Sequence, residues 1–199
     1  MPSNFFATIS RMKYIDRWAL MRNSRNESLS EHSLEVAMIA HALCVIGNVR
    51  FNKNLDANKA ALIGLYHDAP EIITGDMPTP VKYGAGEMKE AYSQVEKVAE
   101  LTLLNQLPKD IREAAYDDIF KEGDDENEKY MRRLVKAADK ISARIKCTEE
   151  EKSGNTEFRT ALKSTDAILK KLCDELCEVN FFCEEFLPSY GSTLDELIG

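Results

Sequence analysis

The sequence predicts an all-α fold. Apolar residues recur at helical spacing in most segments of the chain. No segment shows the sustained alternation of a half-buried strand, and no hairpin signal joins two such segments. The 199 residues have the length of one ordinary domain with a sizeable core. We therefore expect residues 1–199 to form a single helical domain.

The first predicted elements are a short helix and a long core helix. Apolar spacing predicts a helix over about residues 4–14, followed by a loop through RWALMRNSRNES. Ser28 and Glu31 resemble a capping box, which predicts a helix over about residues 29–46 that stops at Gly47. This helix is apolar almost all round, so we expect it to run through the core.

A second core helix follows, and then an irregular segment. Asp56 is a suitable N-cap for a helix that contains ALIGLY and ends near His67. Pro70 disturbs the backbone after it, and TGDMPTPV is rich in turn-forming residues. A loop of this kind next to buried polar groups predicts the wall of a binding site.

The second half of the chain continues the helical pattern. An amphipathic helix is predicted over about residues 86–107, and Pro108 begins a short successor. The acidic run 121–128 is expected to be a solvated loop. Three further helices are predicted over about residues 129–150, 156–180 and 193–198.

Composition limits the class of protein. The chain is 44% hydrophobic and 30% charged, as in folded globular proteins. We expect no membrane-spanning segment and no secretory signal in it. A net charge of -8 argues against a nucleic-acid-binding surface. The odd number of cysteines suits reduced, buried thiols, so we expect a cytoplasmic protein; they are Cys44, Cys147, Cys173, Cys177 and Cys183.

Three histidines are available for chemistry. His67 and Asp68 are adjacent near the end of an apolar helix, where a buried ionisable pair is costly unless it is hydrogen-bonded or bound to a metal. His32 lies in the first turn of the other core helix. His41 is nine residues further on and about 180° round that helix, so we assign it to structure. The dipeptide alone leaves a hydrogen-bonded core pair as the alternative.

Asp139 is the fourth candidate. It lies at the border of the apolar face of its helix, either paired with a base such as Lys136 or Arg144 or turned inward to a cation. Two imidazoles and two carboxylates from three helices suit manganese, iron, cobalt or zinc, and leave open positions for water and a phosphate oxygen. A purely structural helical scaffold would instead leave Asp139 and His32 far apart.

The order His, His-Asp, Asp resembles the HD-domain phosphohydrolase superfamily. Four longer runs resemble those of the bacterial 5'-deoxynucleotidases in that superfamily; they are RWALMRN (17–23), SEHSLEVAMIAHAL (30–43), YHDAPEIITGDMPTPVKY (66–83) and VKAADKISARIKC (135–147). The similarity covers nearly the whole chain. It implies an HD-type helical bundle with a central metal site, and a homodimer.

The resemblance also implies residue roles. One divalent metal ion, cobalt, manganese, iron or zinc, would be bound by His32, His67, Asp68 and Asp139. Arg17 would bind the phosphate, while Trp18 would lie against the sugar and exclude a 2'-hydroxyl. Asp76 and Thr79 would be further substrate contacts.

Glu71 follows His67 by four residues, so we expect it to face the metal. It is the candidate for orienting or deprotonating the attacking water, and Asp76 could share that role. The alternative for each is a carboxylate that only caps a helix or stabilises a turn.

The function expected is removal of the 5'-phosphate from deoxyribonucleoside 5'-monophosphates by a metal-activated water. The alternatives are another HD nucleotide hydrolase, acting on deoxynucleoside triphosphates, cyclic nucleotides or guanosine polyphosphates, or a nucleotide-binding HD module without turnover. Triphosphate hydrolases ordinarily need more cationic contacts than we expect near this site. The sequence leaves the native metal and the base preference open.

Overall fold

A computed structural model describes residues 2–77, 87–121 and 123–199. Its first elements are α1 (Phe5–Ile9), a 3-10 turn (Ser10–Tyr14), β1 (Asp16–Arg17) and β2 (Glu27–Ser28). The helix predicted over 4–14 is therefore part α and part 3-10. The two strands pair antiparallel, with Arg17 opposite Glu27. This two-residue pairing was not predicted, because it is too short to produce an alternating pattern.

The long core helix is α2 (Leu29–Arg50). The predicted capping box is confirmed: the Ser28 hydroxyl accepts from the Glu31 amide, and the Glu31 carboxylate accepts from the Ser28 amide. The predicted stop at Gly47 is wrong. A Cβ on Gly47 would lie 2.9 Å from Glu178 Oε1 and 3.2 Å from Leu55 Cδ1, so the glycine allows close packing inside the helix.

By length and composition alone, α2 could cross a membrane. Its apolar stretch has a mean hydropathy of 1.4. The expectation that no segment is long and apolar enough to span a membrane was therefore wrong. About half of the stretch, 56%, is buried inside the protein, and core helices of soluble proteins have the same composition. That membranes are not a partner stays a prediction.

The next helices are α3 (Ala57–Tyr66), α4 (Glu71–Thr74) and α5 (Glu87–Leu104). Asp56 caps α3 as predicted, since its carboxylate accepts from the Lys59 amide at 2.9 Å. Pro70 precedes α4 directly, which suits a residue with a fixed φ at the start of a helix.

Two short helices, α6 (Lys109–Ile111) and α7 (Asp117–Phe120), flank a π-helical turn. The long α8 (Glu126–Lys152) follows, and its N-cap is Asp125, whose carboxylate accepts from the Glu128 amide. The acidic run is therefore only partly a loop.

The C-terminal part contains α9 (Arg159–Glu175), α10 (Cys177–Glu185) and α11 (Leu194–Ile198). The single helix predicted over 156–180 is interrupted at Leu176, which has an extended backbone and is fully buried. All five cysteines are free thiols. Cys44 and Cys147 are buried as expected, but Cys177 is exposed.

The core lies where α2, α3 and α8 pack together. Leu43, Leu134 and Ile141 are fully buried there. A second cluster joins α1 to α5 through Phe5 and Leu103. The all-α prediction is confirmed, whereas the single domain over residues 1–199 stays a prediction.

Candidate metal centre and substrate cavity

The two candidate histidines come from the two core helices. His32 is in the first turn of α2 and is fully buried. His67 directly follows α3, and its Nδ1 lies 2.7 Å from the carbonyl oxygen of Gly64. A carbonyl can only accept, so Nδ1 of His67 carries a hydrogen. A neutral His67 therefore has its lone pair on Nε2.

Asp68 brings a carboxylate between these rings. Its Oδ2 lies 3.1 Å from His67 Nε2 and 3.6 Å from His32 Nε2. His32, His67 and Asp68 each offer a donor atom, and all three atoms lie within 4.8 Å of one another. This group can hold a metal ion.

Asp139 contacts the group from α8. Its Oδ1 lies 3.2 Å from His32 Nε2, while its Oδ2 accepts a hydrogen bond from Lys140 at 2.9 Å. The carboxylate is therefore turned inward and is also paired with a base, whereas its binding of a metal cation stays a prediction. Its base is Lys140, whereas Arg144 pairs with Asp166. The scaffold alternative, which needed Asp139 and His32 far apart, is wrong.

The donor set fits a cation. Nε2 of His32 and Nε2 of His67 are buried, and neither makes an aligned hydrogen bond to any part of the chain that the structure describes. Carboxylate oxygens nevertheless lie within 3.6 Å of both. A borderline divalent metal prefers ring nitrogens and carboxylate oxygens that surround one point. The two Nε2 atoms, which lack hydrogen bonds, are suitable ligands of this kind.

The two imidazoles have opposite pKa shifts. Burial lowers the pKa of His32 to about 4, and the nearby charge of Arg17 adds to the effect. Burial would also lower the pKa of His67, but the Asp68 carboxylate outweighs it and raises the pKa to about 9. The group thus stabilises one positive charge beside its carboxylates, and a cation would take the place of that proton.

Both carboxylates remain ionised. Burial alone would raise the pKa of Asp68, but the adjacent His67 holds it well below its usual range. Burial opposes the shift at Asp139 also, where His32 and Lys140 lower the pKa. The group therefore offers negative charge to a metal.

A cavity of about 440 Å³ opens beside this group. Five of the predicted site residues line it; they are Arg17, His67, Asp68, Asp76 and Asp139. Three more cationic side chains, Arg132, Lys136 and Lys140, line it as well. The expectation of few cationic contacts near the site was therefore wrong, and it no longer argues against a triphosphate substrate.

Arg17 is held at the cavity by Glu27. Its Nη1 donates to Glu27 Oε2 at 2.7 Å across the β1–β2 pair, and both side chains are largely buried. Burial would lower the pKa of Arg17, but Glu27, and then Asp139 and Asp68, raise it. The guanidinium is therefore charged and available for a phosphate.

Trp18 has a strained backbone, with φ of 57°. Its indole packs on Phe158 with ring centroids 5.4 Å apart, and the Arg17 guanidinium lies 5.8 Å from its centroid. Trp18 is not among the residues that line the cavity. Its contact with the sugar stays a prediction.

The loop after Trp18 is fastened to the far end of α8. Glu150 accepts from the Ser24 amide at 2.9 Å and from Asn155 Nδ2 at 2.6 Å. Lys146 pairs with Glu150 and donates to the Arg25 carbonyl. Lys146 and Glu150 are both buried. Contacts outside the cavity thus fix the position of Arg17 and Trp18.

The candidate catalytic carboxylates differ in placement. Glu71 begins α4, is buried, and does not line the cavity, although its amide donates to the Asp68 carbonyl at 2.9 Å. Asp76 lines the cavity. Thr79, the further predicted substrate contact, lies outside the described residues. His41 is exposed on α2, away from this site.

Comparisons with known proteins identify the family of this chain. A model of the 5'-deoxynucleotidase YfbR-like family matches residues 4–190. The chain belongs to that family. It is 45% identical over 197 residues to a 5'-deoxynucleotidase of Enterobacter sp. (strain 638), covering 98% of this chain and 96% of the relative. The resemblance inferred from the motifs is confirmed.

Solved structures show the same fold. An HD-domain phosphohydrolase from Listeria innocua superposes with a TM-score of 0.78 at 23% identity, covering 94% of this chain and 88% of that one. A cyanophage S-2L HD phosphohydrolase, bound to dA and one catalytic Zn²⁺ ion, gives 0.62 at 20% identity, covering 92% and 96%. The predicted HD-type bundle is confirmed.

Sequence reasoning missed several contributors. Glu27 is opposite Arg17 only because of a strand pair that the sequence does not reveal. Lys140 was not considered, although it is adjacent to Asp139. Ser142 lies on the buried face of the same helix, and its hydroxyl contacts His32. Its position one helical turn after Asp139 was the available signal.

Proposed function

We propose that this protein hydrolyses deoxyribonucleoside 5'-monophosphates to the deoxynucleoside and inorganic phosphate. The observation that carries the proposal is the buried His32–His67–Asp68 group beside the cavity that Arg17 lines. Membership of the YfbR-like family, whose relatives are 5'-deoxynucleotidases, identifies the substrate class.

His32, His67, Asp68 and Asp139 would hold one divalent cation, which we take to be cobalt, manganese, iron or zinc. When bound, such an ion polarises phosphoryl oxygens and lowers the pKa of water beside it. The mixed ligand set supports this choice, because imidazole and carboxylate together suit several first-row metals.

Arg17 would bind the phosphoryl oxygens through its guanidinium. Its pairing with Glu27 leaves other N–H groups of the fork to donate to substrate, and keeps the side chain in one position. Negative charge increases on these oxygens during in-line displacement, so a fixed cation lowers the barrier.

Glu71 and Asp76 are the candidates for orienting the attacking water and accepting its proton. Asp76 lines the cavity, whereas Glu71 is buried and is not among the residues that line it. Replacing each by its amide separates the two: the general base is the residue whose loss lowers kcat without raising KM. Trp18 would contact the sugar and exclude a 2'-hydroxyl, and Thr79 would be a further substrate contact.

The protein would act as a cytoplasmic homodimer without a nucleic-acid partner. An exposed apolar face on α2 supports the dimer; it consists of Leu34, Met38, Val45 and Val49. These residues lie on one side of the helix by spacing. Met38→Glu should shift the mass measured by light scattering to that of a monomer. Val98→Glu, at an exposed valine of α5, should leave it unchanged.

The experiment that tests the function is phosphate release from a panel of ribo- and deoxyribonucleotides after chelation and addition of single divalent ions. Deoxy-AMP should release phosphate only when an ion is added, and AMP should react far more slowly. Tight nucleotide binding without phosphate from any substrate would contradict the proposal and indicate a sensor.

A second candidate is hydrolysis of deoxynucleoside triphosphates. The cationic side chains of Arg17, Lys136 and Lys140 along the cavity favour it, because a triphosphate carries more charge to neutralise. The fourth, Arg132, is engaged by Glu128 and by backbone carbonyls. Release of tripolyphosphate from deoxy-ATP, with little phosphate from deoxy-AMP, would select this function instead.

A further inference from the structure

The Ser142 hydroxyl joins two side chains of α2. Ser142 is fully buried on α8, one turn after Asp139. Its Oγ lies 2.9 Å from His32 Nδ1 and donates to Glu35 Oε2 at 2.6 Å. His32 and Glu35 are three residues apart, on the same face of α2. The three groups form a continuous chain that leads away from the candidate metal centre.

The direction of this chain follows from counting hydrogens. An ionised carboxylate only accepts, and a serine hydroxyl has one hydrogen to give. If that hydrogen is donated to Glu35, Ser142 must accept from His32 Nδ1. Nδ1 therefore carries the ring proton, and Nε2 has the lone pair. Nε2 is the nitrogen that lies 3.2 Å from Asp139 and 3.6 Å from Asp68.

We propose that Ser142 and Glu35 are positioning residues that fix His32 in its Nδ1–H tautomer, so that Nε2 presents its lone pair to the cation. The inference rests on the proposed metal site. It explains why the fully buried His32 contacts a hydroxyl, which in turn donates to a carboxylate. Outer partners of this kind orient a ligand and raise its basicity.

His67 offers an internal comparison. Its Nδ1 donates to the Gly64 carbonyl, so a neutral His67 has its lone pair on Nε2, toward the centre, in the same arrangement as His32. The acceptor for His67 belongs to the backbone and cannot be removed by substitution. The acceptor for His32 is a side chain, so substitutions can test the hydrogen-bonded chain His32–Ser142–Glu35, which we call the relay.

The first test measures binding of Mn²⁺ to the chelated full-length protein by calorimetry. Ser142→Ala leaves Nδ1 without its acceptor, and we expect about 10-fold weaker binding or more. Ser142→Thr keeps the hydroxyl and should restore affinity. Ser33→Ala removes another buried serine, adjacent to His32, and should change affinity less than twofold. Equal losses in Ser142→Ala and Ser33→Ala would indicate a packing effect and overturn the proposal.

The second test reads the tautomer directly by ¹⁵N NMR of the histidine rings in chelated protein. The chain has three histidines, and His41→Gln identifies the signals of the exposed one. We expect the Nδ1–H form of His32 in the wild type and a mixture in Ser142→Ala. Glu35→Leu should shift the proton toward Nε2, because the freed hydroxyl then donates to Nδ1.

These outcomes separate the relay from the metal site. An Nε2–H tautomer in the wild type would overturn the relay even if Mn²⁺ binds. Wild-type protein that shows the Nδ1–H form but binds no divalent ion would contradict the metal site and leave only the tautomer assignment standing. Wild-type affinity retained in Ser142→Ala would likewise overturn the positioning role.

Discussion

Gly64 on α3 lies directly against the backbone of Ala37 on α2: a methyl group on Gly64 would come within 2.9 Å of Ala37 Cα and 3.0 Å of its nitrogen. Backbone atoms cannot move aside as a flexible side chain can. Gly64 also provides the carbonyl that orients His67. The approach of the two core helices and the geometry of the candidate metal centre therefore depend on the same residue.

Gly64→Ala should lower the free energy of unfolding by about 1–3 kcal/mol, because the added methyl group forces α3 away from α2. Divalent-ion affinity should fall too, since His67 moves with α3. Denaturant unfolding and calorimetry measure the two effects. The matched control is Leu62→Ala, at a half-exposed position of α3. A Gly64→Ala protein with unchanged stability would contradict this account of the packing.

His67→Ala should reduce phosphate release from deoxy-AMP by roughly 100-fold or more, because one of the four proposed cation ligands is lost. The comparison is His41→Ala, which removes an exposed histidine of α2 and should leave the rate within about twofold. Both variants should keep the wild-type far-UV circular dichroism. Full activity in His67→Ala would rule out the proposed centre.

Trp18→Ala should allow ribonucleotides to react. A contact that excludes a hydroxyl by shape is worth about 1–3 kcal/mol, so the ratio of kcat/KM for deoxy-AMP over AMP should fall by about 10- to 200-fold. Leu20→Ala changes a highly exposed side chain of the same loop and serves as the control. An unchanged ratio in Trp18→Ala would show that sugar selection lies elsewhere.

Glu150 makes a pH-dependent contribution to stability. Burial opposes ionisation, but hydrogen bonds from Lys146, Asn155 and Ser24 outweigh it and lower the pKa of Glu150 from 4.5 to about 2. The folded state therefore binds fewer protons than the unfolded state. The stabilisation is complete above about pH 4.5 and is lost as the pH falls toward 2.

Glu150→Gln should therefore be less stable than the wild type at pH 7, by about 3 kcal/mol for a broken buried pair. The difference should shrink as the pH is lowered from 5 to 3. Glu151→Gln, at the exposed neighbour, should be neutral at every pH. A difference that is constant with pH would mean that the carboxylate charge is not what holds the loop.

The sequence predicted the helices that bury one clear face and begin at a recognisable cap. Ser28 and Asp56 marked the starts of α2 and α3 correctly, because an N-cap depends on neighbours three residues away. Helix ends were less predictable. Gly47 continues α2 and Leu176 interrupts the C-terminal helices, and both depend on packing between distant segments.

The sequence predicted the candidate metal residues of the site but not the polar side chains that pair with its residues from distant segments. Ligand types and order placed His32, His67 and Asp68 together, and Asp139 contacts them as expected. Pairings between distant polar groups, such as Arg17 with Glu27, could not be found, since a carboxylate on the surface and one facing a buried base have the same local sequence.

Four of the polar residues on the inner side of α8 are Asp139, Ser142, Lys146 and Glu150, spaced three, four and four residues apart. At about 100° per residue these positions share one side, over roughly 16 Å of helix. Deleting any single residue between Asp139 and Glu150 would rotate the two ends by about 100° relative to each other. Either Asp139, the proposed cation ligand, or Glu150, the anchor of the loop that carries Arg17 and Trp18, would then point away from its partner. The number of residues in this stretch is therefore as tightly constrained as their identity.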